Sequence, residues 1–369
     1  MVGITGSKGF IGKHLSVHLS LLSDQYRVIS IDRSAFENVF ELDELVSKCH
    51  IIIHLAAVNR AENIDFLYNE NINLAEKLAS SLERCASKAR VIFASSIQEK
   101  TDSIYGLSKA KSNKILLESA LERRGTFTSL IIPNVFGPFS KPNYNTFVAT
   151  FSHKLLSNIE TNIIENSKVD LIYIDNLIRL IIDNFEDSDE YERSIKPDIT
   201  ITVKEVLKKL KVFKNLYFEK GQIPKMKDTF EVNLFNTFRS FIDVKTFFPF
   251  QLTNNMDFRG SFIEIVKLGV GGQVSYSTTK PGVTRGNHFH TRKIERFCVI
   301  QGQAKIKLRK IDKSESLQFY LNGKSPSFVD MPIWYTHNIT NVGDNELITI
   351  FWINEIFDPN DSDTYMLEV

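Results

Sequence analysis

A tyrosine and a lysine four residues apart, Tyr105 and Lys109, occur in a segment with helical periodicity. Residues at positions i and i+4 share one face of a helix. An ammonium beside a phenol is expected to lower the phenol pKa, which suits Tyr105 to pass a proton to a developing alkoxide. Ser96 ends the apolar run before this helix and is placed to hydrogen-bond a substrate oxygen. The three residues predict acid catalysis at a carbonyl group.

Three glycines, Gly6, Gly9 and Gly12, follow a short apolar run and open a helical pattern. Such a turn lets a pyrophosphate approach the helix N-terminus, whose amides and dipole favour negative charge. Asp32 and Arg33 follow the second apolar run, where an adenosine ribose would be bound. Asp32 favours the ribose hydroxyls of NAD, whereas Arg33 favours the 2′-phosphate of NADP. The cofactor preference stays open at this point, as does a solvated salt-bridging role for Arg33.

The histidines of the second half of the chain are unusually placed. Of eight histidines, those after His153 are only His288, His290 and His337. Two residues apart on a strand, His288 and His290 point to the same side. Converging imidazoles suit zinc or another divalent transition metal. The alternative is that these side chains face solvent on a sugar-binding barrel without a metal.

The elements that must position these residues change in kind along the chain. Short apolar runs alternate with helical patterns in the first part, which is typical of a parallel sheet covered on both faces. The predicted strands are 2–5, 26–31, 50–55, 90–95 and 127–132, and the predicted helices run to about 22, over 71–84 and over 105–123. From about 139 to 241 the pattern loosens into mixed helices and strands.

Residues 258–353 are short strands separated by glycine and asparagine turns, which predicts a compact antiparallel barrel. We therefore predict an α/β Rossmann domain over 1–245, followed by an all-β domain over 246–369.

Composition narrows the class of protein. Apolar residues make up 43% of the 369 residues and charged residues 24%, which are ordinary globular values. The net charge of +1 gives no global field for nucleic acid or an anionic membrane. No apolar run approaches the roughly 20 residues of a membrane span. The three cysteines are too scattered for a disulfide framework or a Cys-x-x-Cys zinc site. We expect a cytoplasmic protein that binds neither nucleic acid nor membrane.

The first part of the chain resembles the extended short-chain dehydrogenase/reductase family. The matching stretches are TGSKGFIG (5–12), HLAA (54–57), FASS (93–96), YGLSK (105–109), PNVFGP (133–138) and YIDN (173–176). The resemblance implies catalysis by Ser96, Tyr105 and Lys109. The implied contacts with the nicotinamide cofactor are Gly6, Gly9, Phe10, Ile11, Gly12, Asp32, Arg33, Leu55, Ala56, Ala57, Asn71, Tyr105 and Lys109. The segment between Ser96 and Tyr105 is shorter than is usual in the family, so the loop there must be built differently.

The second part resembles the cupins. Gly282, His288, His290, Glu295 and Gly302 occupy every fixed position of the first cupin motif. The second motif is matched from Pro332 through His337 to Asn341, except that Trp334 stands where glycine is usual. The resemblance implies a metal bound by His288, His290, Glu295 and His337. The Trp334 departure is expected to affect the turn before the ligand strand rather than the ligands.

This part is also similar to the deoxysugar epimerases of the dTDP-rhamnose pathway, through DxRGxFxE (257–264) and RGNH (285–288). In that resemblance His288 takes the position of the base that removes a proton α to a ketone. A coordinated imidazole has no free lone pair for that proton, so His288 cannot be ligand and base at once. Both roles stay open here.

Over its whole length the sequence resembles the CapF family of bifunctional capsular-polysaccharide enzymes, including KPNYN (141–145) and the C-terminal segment 352–369. The resemblance implies a pathway to UDP-N-acetyl-L-fucosamine. The cupin would epimerise C3 of a UDP-2-acetamido-2,6-dideoxy-4-ketohexose, and the reductase would then reduce C4 with NADPH. The expected product is UDP-2-acetamido-2,6-dideoxy-L-talose.

Two interpretations of the function of the cupin domain stay open. In the first it is the epimerase, with zinc or another divalent metal bound. In the alternative it is a non-catalytic module for sugar binding or dimerisation, which leaves a monofunctional 4-ketoreductase. Cupins often pair through their sheets, so a homodimer is expected in either case.

Overall fold

The computed structural model of the chain describes residues 1–144, 146–163, 166–186, 191–257, 260–263, 265–266, 272–355 and 358–369, with the backbone alone for 254–257 and 260–263. Arg259 and Glu264 of the predicted DxRGxFxE signature, and Asn145 of KPNYN, lie outside the described residues.

Strands and helices alternate in the first part, as predicted. The strands are β1 (Val2–Thr5), β2 (Val28–Ile31), β3 (Ile51–His54), β4 (Arg90–Ser96), β5 (Phe127–Ile132), β6 (Asn134–Phe136), β7 (Lys168–Tyr173), β8 (Glu192–Ser194) and β9 (Ile199–Thr202). The helices are α1 (Phe10–Leu21), α2 (Val39–Ser47), α3 (Ile64–Arg84), α4 (Ile104–Glu122), α5 (Phe147–Leu156), α6 (Ile174–Asp183) and α7 (Val203–Phe213).

Six parallel strands form the main sheet, in the order β2-β1-β3-β4-β5-β8. All six residues of β5 are buried, as expected for a strand covered on both faces. Because parallel strands end at the same edge, Gly6, Leu55, Ser96 and Pro133 come together there, after or at the ends of β1, β3, β4 and β5. A smaller sheet, β6-β7-β9, completes this part. The predicted Rossmann-type fold is confirmed.

The second part is built mainly of antiparallel strands. Before it come a π-helix (Lys214–Glu219), α8 (Thr229–Arg239) and the single turn α9 (Val244–Phe247). The strands are β10 (Phe250–Gln251), β11 (Asn254–Asp257), β12 (Gly260–Ile263), β13 (Gln273–Thr279), β14 (Thr284–Phe289), β15 (Glu295–Gln301), β16 (Gln303–Lys310), β17 (Ser316–Asn322), β18 (Ser327–Met331), β19 (Tyr335–Asn341), β20 (Leu347–Ile353) and β21 (Tyr365–Met366).

Two five-stranded sheets carry the second part, β10-β18-β15-β20-β13 and β17-β16-β19-β14-β21. Apolar side chains from both sheets, including Phe328, Val329, Ile306 and Ile339, share one core. The structure confirms the predicted fold class of this part, an all-β, cupin-type fold.

The chain divides into two compact units, Met1–Thr150 with Ile163–Val206, and Phe151–Asn162 with Leu207–Val369. Residues 207–245 thus group with the barrel, and a buried network explains why. Asp330 accepts hydrogen bonds from Arg296 Nε at 2.8 Å and from the Tyr217 hydroxyl. Arg296 also donates to the Gly221 carbonyl at 2.7 Å. The boundary near residue 245 stays a prediction for the limits of independently folding domains.

No helix among the described residues is long and apolar enough to cross a membrane. All three cysteines are free, with Cys49 and Cys298 buried, as the sequence predicts.

Candidate functional site

The glycine turn between β1 and α1 is packed too tightly for side chains. Gly6 has φ +67°, in the left-handed region, and its carbonyl accepts the Gly9 amide at 2.9 Å. A Cβ on Gly12 would lie 2.3 Å from the Gly6 oxygen, and one on Gly6 would lie 2.9 Å from the Ala56 nitrogen. The turn is therefore restricted to glycine at these positions, and it leaves the N-terminus of α1 open for a phosphate group.

A cavity of about 780 Å³ opens at this turn and at the ends of β3, β4 and β5. Its volume is within the range of pockets that bind small ligands and cofactors. Among its lining residues are these predicted site residues: Gly6, Gly9, Phe10, Ile11, Gly12, Leu55, Ala57, Ser96, Tyr105 and Lys109. The structure therefore brings most of the predicted cofactor contacts together with the predicted catalytic residues.

Asn71 and Ala56 are not among the residues that line the cavity. Asn71 is buried, and its amide accepts from the Val58 nitrogen at 2.7 Å and donates to the Val58 carbonyl and to Ser108 Oγ. The Ala56 amide donates to Thr5 Oγ1 at 3.1 Å. These bonds fix the loop after β3 against α4. Direct cofactor contacts from Asn71 and Ala56 stay a prediction.

Asp32 and Arg33 stand in different electrostatic settings. Lys8 lies 2.6 Å from Asp32, and Ser30 and Ser7 donate to the same carboxylate. Lys8 foremost, then the two hydroxyls, hold the pKa of Asp32 below its usual range against the effect of burial. Arg33 is 70% exposed and pairs with Glu70 at 3.3 Å. The role of Lys8 was not predicted from the sequence, although a basic residue directly before Gly9 in the glycine turn could have indicated it.

The predicted catalytic residues meet at the carboxyl end of β4. Lys109 is buried, and its ammonium donates to the Ala94 carbonyl at 2.8 Å and lies 5.8 Å from the centre of the Tyr105 ring. Burial lowers the pKa of Lys109 to about 8, and Glu99 partly offsets this. Ser96 Oγ accepts the Gln98 amide at 3.2 Å.

The expectation for the tyrosine was wrong in sign. Burial first, and then the neighbouring Tyr144, raise the pKa of Tyr105 above its usual range. The Lys109 ammonium is bonded to a main-chain carbonyl rather than to the phenol, so its attraction does not outweigh burial. Tyr105 therefore stays protonated near pH 7, and its phenol can still give its proton to the more basic alkoxide that hydride transfer would form.

The short connection between Ser96 and Tyr105 is built from a single turn of 3₁₀-helix, Ile97–Lys100. Ser103 then caps α4 by accepting the Gly106 amide at 3.1 Å. A Cβ on Gly106 would lie only 1.9 Å from the Gln98 carbonyl oxygen. Glycine at 106 thus allows α4 to start directly against the turn, in place of a longer loop.

Four side chains converge inside the barrel: His288, His290, Glu295 and His337. One ligand atom from each lies within 4.8 Å of all the others. His288 faces His337 in the β14–β19 register, Glu295 begins β15, and His290 directly follows β14. Glu295 Oε2 lies 3.1 Å from His290 Nε2 and 3.4 Å from His337 Nε2. The structure assembles the whole predicted ligand set.

The chemistry of this cluster fits a divalent transition metal. His290, Glu295 and His337 are 3%, 6% and 1% exposed. His290 Nε2, Glu295 Oε2 and both ring nitrogens of His337 lack a hydrogen-bond partner of good geometry. Buried polar atoms rarely lack a hydrogen-bond partner, so these atoms are available to bind an ion. Three nitrogen ligands and one oxygen ligand match the preference of zinc. The four residues could therefore hold a zinc ion.

The protonation states of His288 and Glu295 follow from their burial and from the neighbouring histidines. Burial, and then the two neighbouring histidines, lower the pKa of His288 to about 4. Burial acts to raise the pKa of Glu295, but His290 and His337 hold it below its usual range. The cluster thus favours a charged carboxylate beside a neutral His288 near pH 7, which is the ionisation a metal requires of both groups.

Trp334 occupies the turn before the ligand strand, as expected from its place in the motif. Its φ is +63°, which costs a non-glycine residue about 1–2 kcal/mol. The Trp334 amide donates to the His290 carbonyl at 2.8 Å, and its ring packs 5.9 Å from that of Phe289. The buried indole offsets the backbone strain, so the ligand strand keeps its position without glycine.

Two family models match the chain. The NAD dependent epimerase/dehydratase family matches residues 2–194, and the polysaccharide biosynthesis C-terminal domain matches residues 255–365. The first match agrees with the glycine turn and the Ser96, Tyr105 and Lys109 arrangement. The class defined by fold and site is thus a Rossmann-type epimerase/dehydratase domain joined to a polysaccharide-biosynthesis barrel.

Similarity to individual proteins extends over the whole chain. It is 32% identical over 369 residues to the UDP-2-acetamido-2,6-beta-L-arabino-hexul-4-ose reductase of Pseudomonas aeruginosa, covering 99% of this chain and 98% of that protein. The crystal structure of the capsular polysaccharide assembling protein CapF from Staphylococcus aureus matches with 34% identity and a TM-score of 0.63, covering 100% and 99% of the two chains. The spore coat polysaccharide biosynthesis protein SpsL of Bacillus subtilis is 25% identical over 123 residues, 31% of this chain and 82% of its own. The chain belongs to the CapF-like family, which confirms the resemblance seen in the sequence.

Proposed function

We propose that the protein is a bifunctional nucleotide-sugar enzyme. The cupin barrel epimerises C3 of UDP-2-acetamido-2,6-dideoxy-4-ketohexose, and the reductase domain then reduces C4 with NADPH to UDP-2-acetamido-2,6-dideoxy-L-talose. The observation that carries the proposal is the joint presence of Ser96, Tyr105 and Lys109 at the cavity and a complete His288, His290, Glu295 and His337 cluster in the barrel. The full-length similarity to a hexul-4-ose reductase supports the substrate class.

In the reductase domain, the glycine turn and the N-terminus of α1 hold the cofactor pyrophosphate. NADPH, when bound, supplies the hydride for C4. Tyr105 keeps the proton that the C4 oxygen takes up, and the Lys109 ammonium stabilises the phenolate that remains. The Ser96 hydroxyl, which belongs to a residue lining the same cavity, donates a hydrogen bond to the ketone oxygen.

The preference for NADPH rests on positive charge near the adenosine ribose site. The Lys8 ammonium neutralises Asp32, the residue that favours NAD, and Arg33 is exposed beside it. Both cations suit a 2′-phosphate. The ratio of kcat/KM for NADPH to that for NADH should exceed one and should fall in Lys8→Ala and in Arg33→Ala. A ratio below one in the wild-type protein would overturn this preference.

In the barrel, His288, His290, Glu295 and His337 bind one zinc ion. Zinc, when bound, supplies a positive charge that stabilises a developing enolate. The C4 ketone makes the C3 proton acidic, so epimerisation must come before reduction removes that ketone. Placing both steps in one chain raises the local concentration of the intermediate.

We assign His288 as the fourth ligand, because its ring lies 4.5 Å from that of His337 and 5.0 Å from that of His290. His288→Ala should then lose metal together with C3 exchange. If metal content instead stays full while exchange collapses, His288 is the base and the site has three protein ligands. Full metal and undiminished exchange would contradict both roles.

Deuterium exchange with NADPH withheld tests the epimerase directly. Incubation of the 4-ketohexose substrate in deuterated buffer should place deuterium at C3, which mass spectrometry and NMR detect. Tyr105→Phe serves as the matched control, since it disables only the reductase site. Absence of exchange in the wild-type protein would leave a monofunctional 4-ketoreductase with a non-catalytic cupin.

The proposal also includes a homodimer formed through the cupin, a UDP-sugar as the only partner ligand besides the cofactor, and a cytoplasmic location. Sedimentation equilibrium tests the dimer, and a monomer at micromolar concentration would contradict it.

A further inference from the structure

The C-terminal segment reaches back to the metal cluster through one residue, Asp363. His290 Nδ1 lies 2.6 Å from the Asp363 carbonyl oxygen. A carbonyl can only accept a hydrogen bond, so Nδ1 must carry the proton. The lone pair of a neutral His290 is therefore on Nε2, the atom that lies 3.1 Å from Glu295 Oε2. Asp363 thus selects the tautomer of His290 that can bind a metal.

The Asp363 carboxylate fixes the loop that follows His290. It accepts hydrogen bonds from Thr291 N at 3.1 Å, Thr291 Oγ1 at 2.6 Å, Arg292 N at 2.9 Å and Lys293 N at 3.0 Å. The side chain is buried, with Asp363 only 4% exposed. Its backbone has φ +40°, a left-handed conformation that is unfavourable for a non-glycine residue. Four hydrogen bonds to one buried carboxylate explain why the conformation is kept.

The residues after Asp363 add a strand to the sheet beside β14, the strand that carries His288. β21 pairs with β14, with Met366 opposite His288 and Tyr365 opposite Phe289. The Leu367 amide donates to the Asn287 carbonyl at 2.9 Å. The C-terminal segment is thereby bonded along one edge of the strand that carries His288 and leads directly into His290.

We infer that Asp363 is a positioning residue for the metal, and that the C-terminal segment 363–367 controls how long the metal stays bound. The inference rests on the proposed metal site and adds a determinant that lies 73 residues from His290 in the sequence. Without the carboxylate, the 291–293 loop loses its acceptor, and the Asp363 carbonyl no longer holds the His290 ring in place.

Zinc release tests the inference, measured on the full-length zinc-loaded protein with a chromophoric chelator in excess. Asp363→Asn should release zinc about 10-fold or more faster, since loss of an outer partner of a ligand commonly costs 10–100-fold in metal affinity. Thr291→Val removes one of the four hydrogen bonds and should give a smaller increase. Asp361→Asn is the matched control, because Asp361 is in the same segment but pairs with Arg292 at the surface, and its release rate should equal that of wild type.

Cobalt substitution separates positioning from general destabilisation. The d–d absorption of the Co²⁺ protein reports ligand geometry, so Asp363→Asn should shift it while Asp361→Asn leaves it unchanged. An Asp363→Asn protein that releases zinc at the wild-type rate and shows the wild-type Co²⁺ spectrum would overturn the inference. If that variant does not fold, unchanged release from Thr291→Val overturns it instead. A wild-type protein that binds no zinc would remove the proposed metal site itself, and this inference with it.

Discussion

Gly106→Ala should damage the reductase site although alanine is the better helix former. In an exposed helix this change stabilises by up to about 1 kcal/mol. Here the new Cβ would lie 1.9 Å from the Gln98 carbonyl oxygen and 2.7 Å from its carbon. Reaching even 3.0 Å requires a displacement of about 1.1 Å, the difference between 3.0 and 1.9, between α4 and the turn after β4. That turn begins at Ser96, and α4 carries Tyr105 and Lys109.

Overpacking of this kind costs about 1–3 kcal/mol, and a misplacement of about 1 Å among reacting groups can cost 100-fold in rate. We therefore expect Gly106→Ala to lower the free energy of unfolding in urea by that amount and kcat for NADPH oxidation by about 100-fold. NADPH binding, followed by its fluorescence, should weaken much less than kcat falls, because the glycine turn that holds the pyrophosphate is not displaced. Leu107→Ala, at an exposed neighbouring position, is the control and should retain wild-type activity. A Gly106→Ala protein with wild-type kcat and undiminished stability would refute the structural argument.

Further predictions concern the two sites separately. Tyr105→Phe removes the proton donor and should lower C4 reduction by about 100-fold or more, while C3 exchange survives; near-normal NADPH oxidation would exclude the assigned role. Since the pKa of Lys109 is about 8 and its charged form is required, kcat/KM should fall as pH rises through about 8. Glu99→Gln removes a negative charge that favours the ammonium, so the decline should move to lower pH; no movement would contradict the coupling. His290→Ala and His337→Ala should each lose the bound metal in elemental analysis, and full metal content in either would exclude that histidine as a ligand.

The sequence predicts features set by local chemistry. The apolar run Phe127–Ile132 is a fully buried parallel strand, because each of its residues can be covered on either face. The three glycines of the first turn could be predicted because the close approach of the backbone leaves no room for a side chain at these positions. The metal-binding histidines could be predicted because strand periodicity and motif spacing bring their imidazoles to one side: His288, His290 and His337.

Features that depend on distant partners were not predicted. Helix α2 was missed, although Asn38 caps it by accepting the Phe40 and Glu41 amides. The Lys8–Asp32 pair and the bond between His290 and Asp363 join residues far apart in the chain, which the packing of separate elements decides. The pKa of Tyr105 was predicted in the wrong direction because burial depends on the whole fold.

The central claim is that one chain carries out C3 epimerisation and C4 reduction in that order. The most direct measurement is product analysis by NMR after incubation of UDP-2-acetamido-2,6-dideoxy-4-ketohexose with the protein and NADPH in deuterated buffer. The account predicts UDP-2-acetamido-2,6-dideoxy-L-talose with deuterium at C3 and NADPH consumed in equal amount. A reduced product that retains the original C3 configuration and carries no deuterium would contradict it.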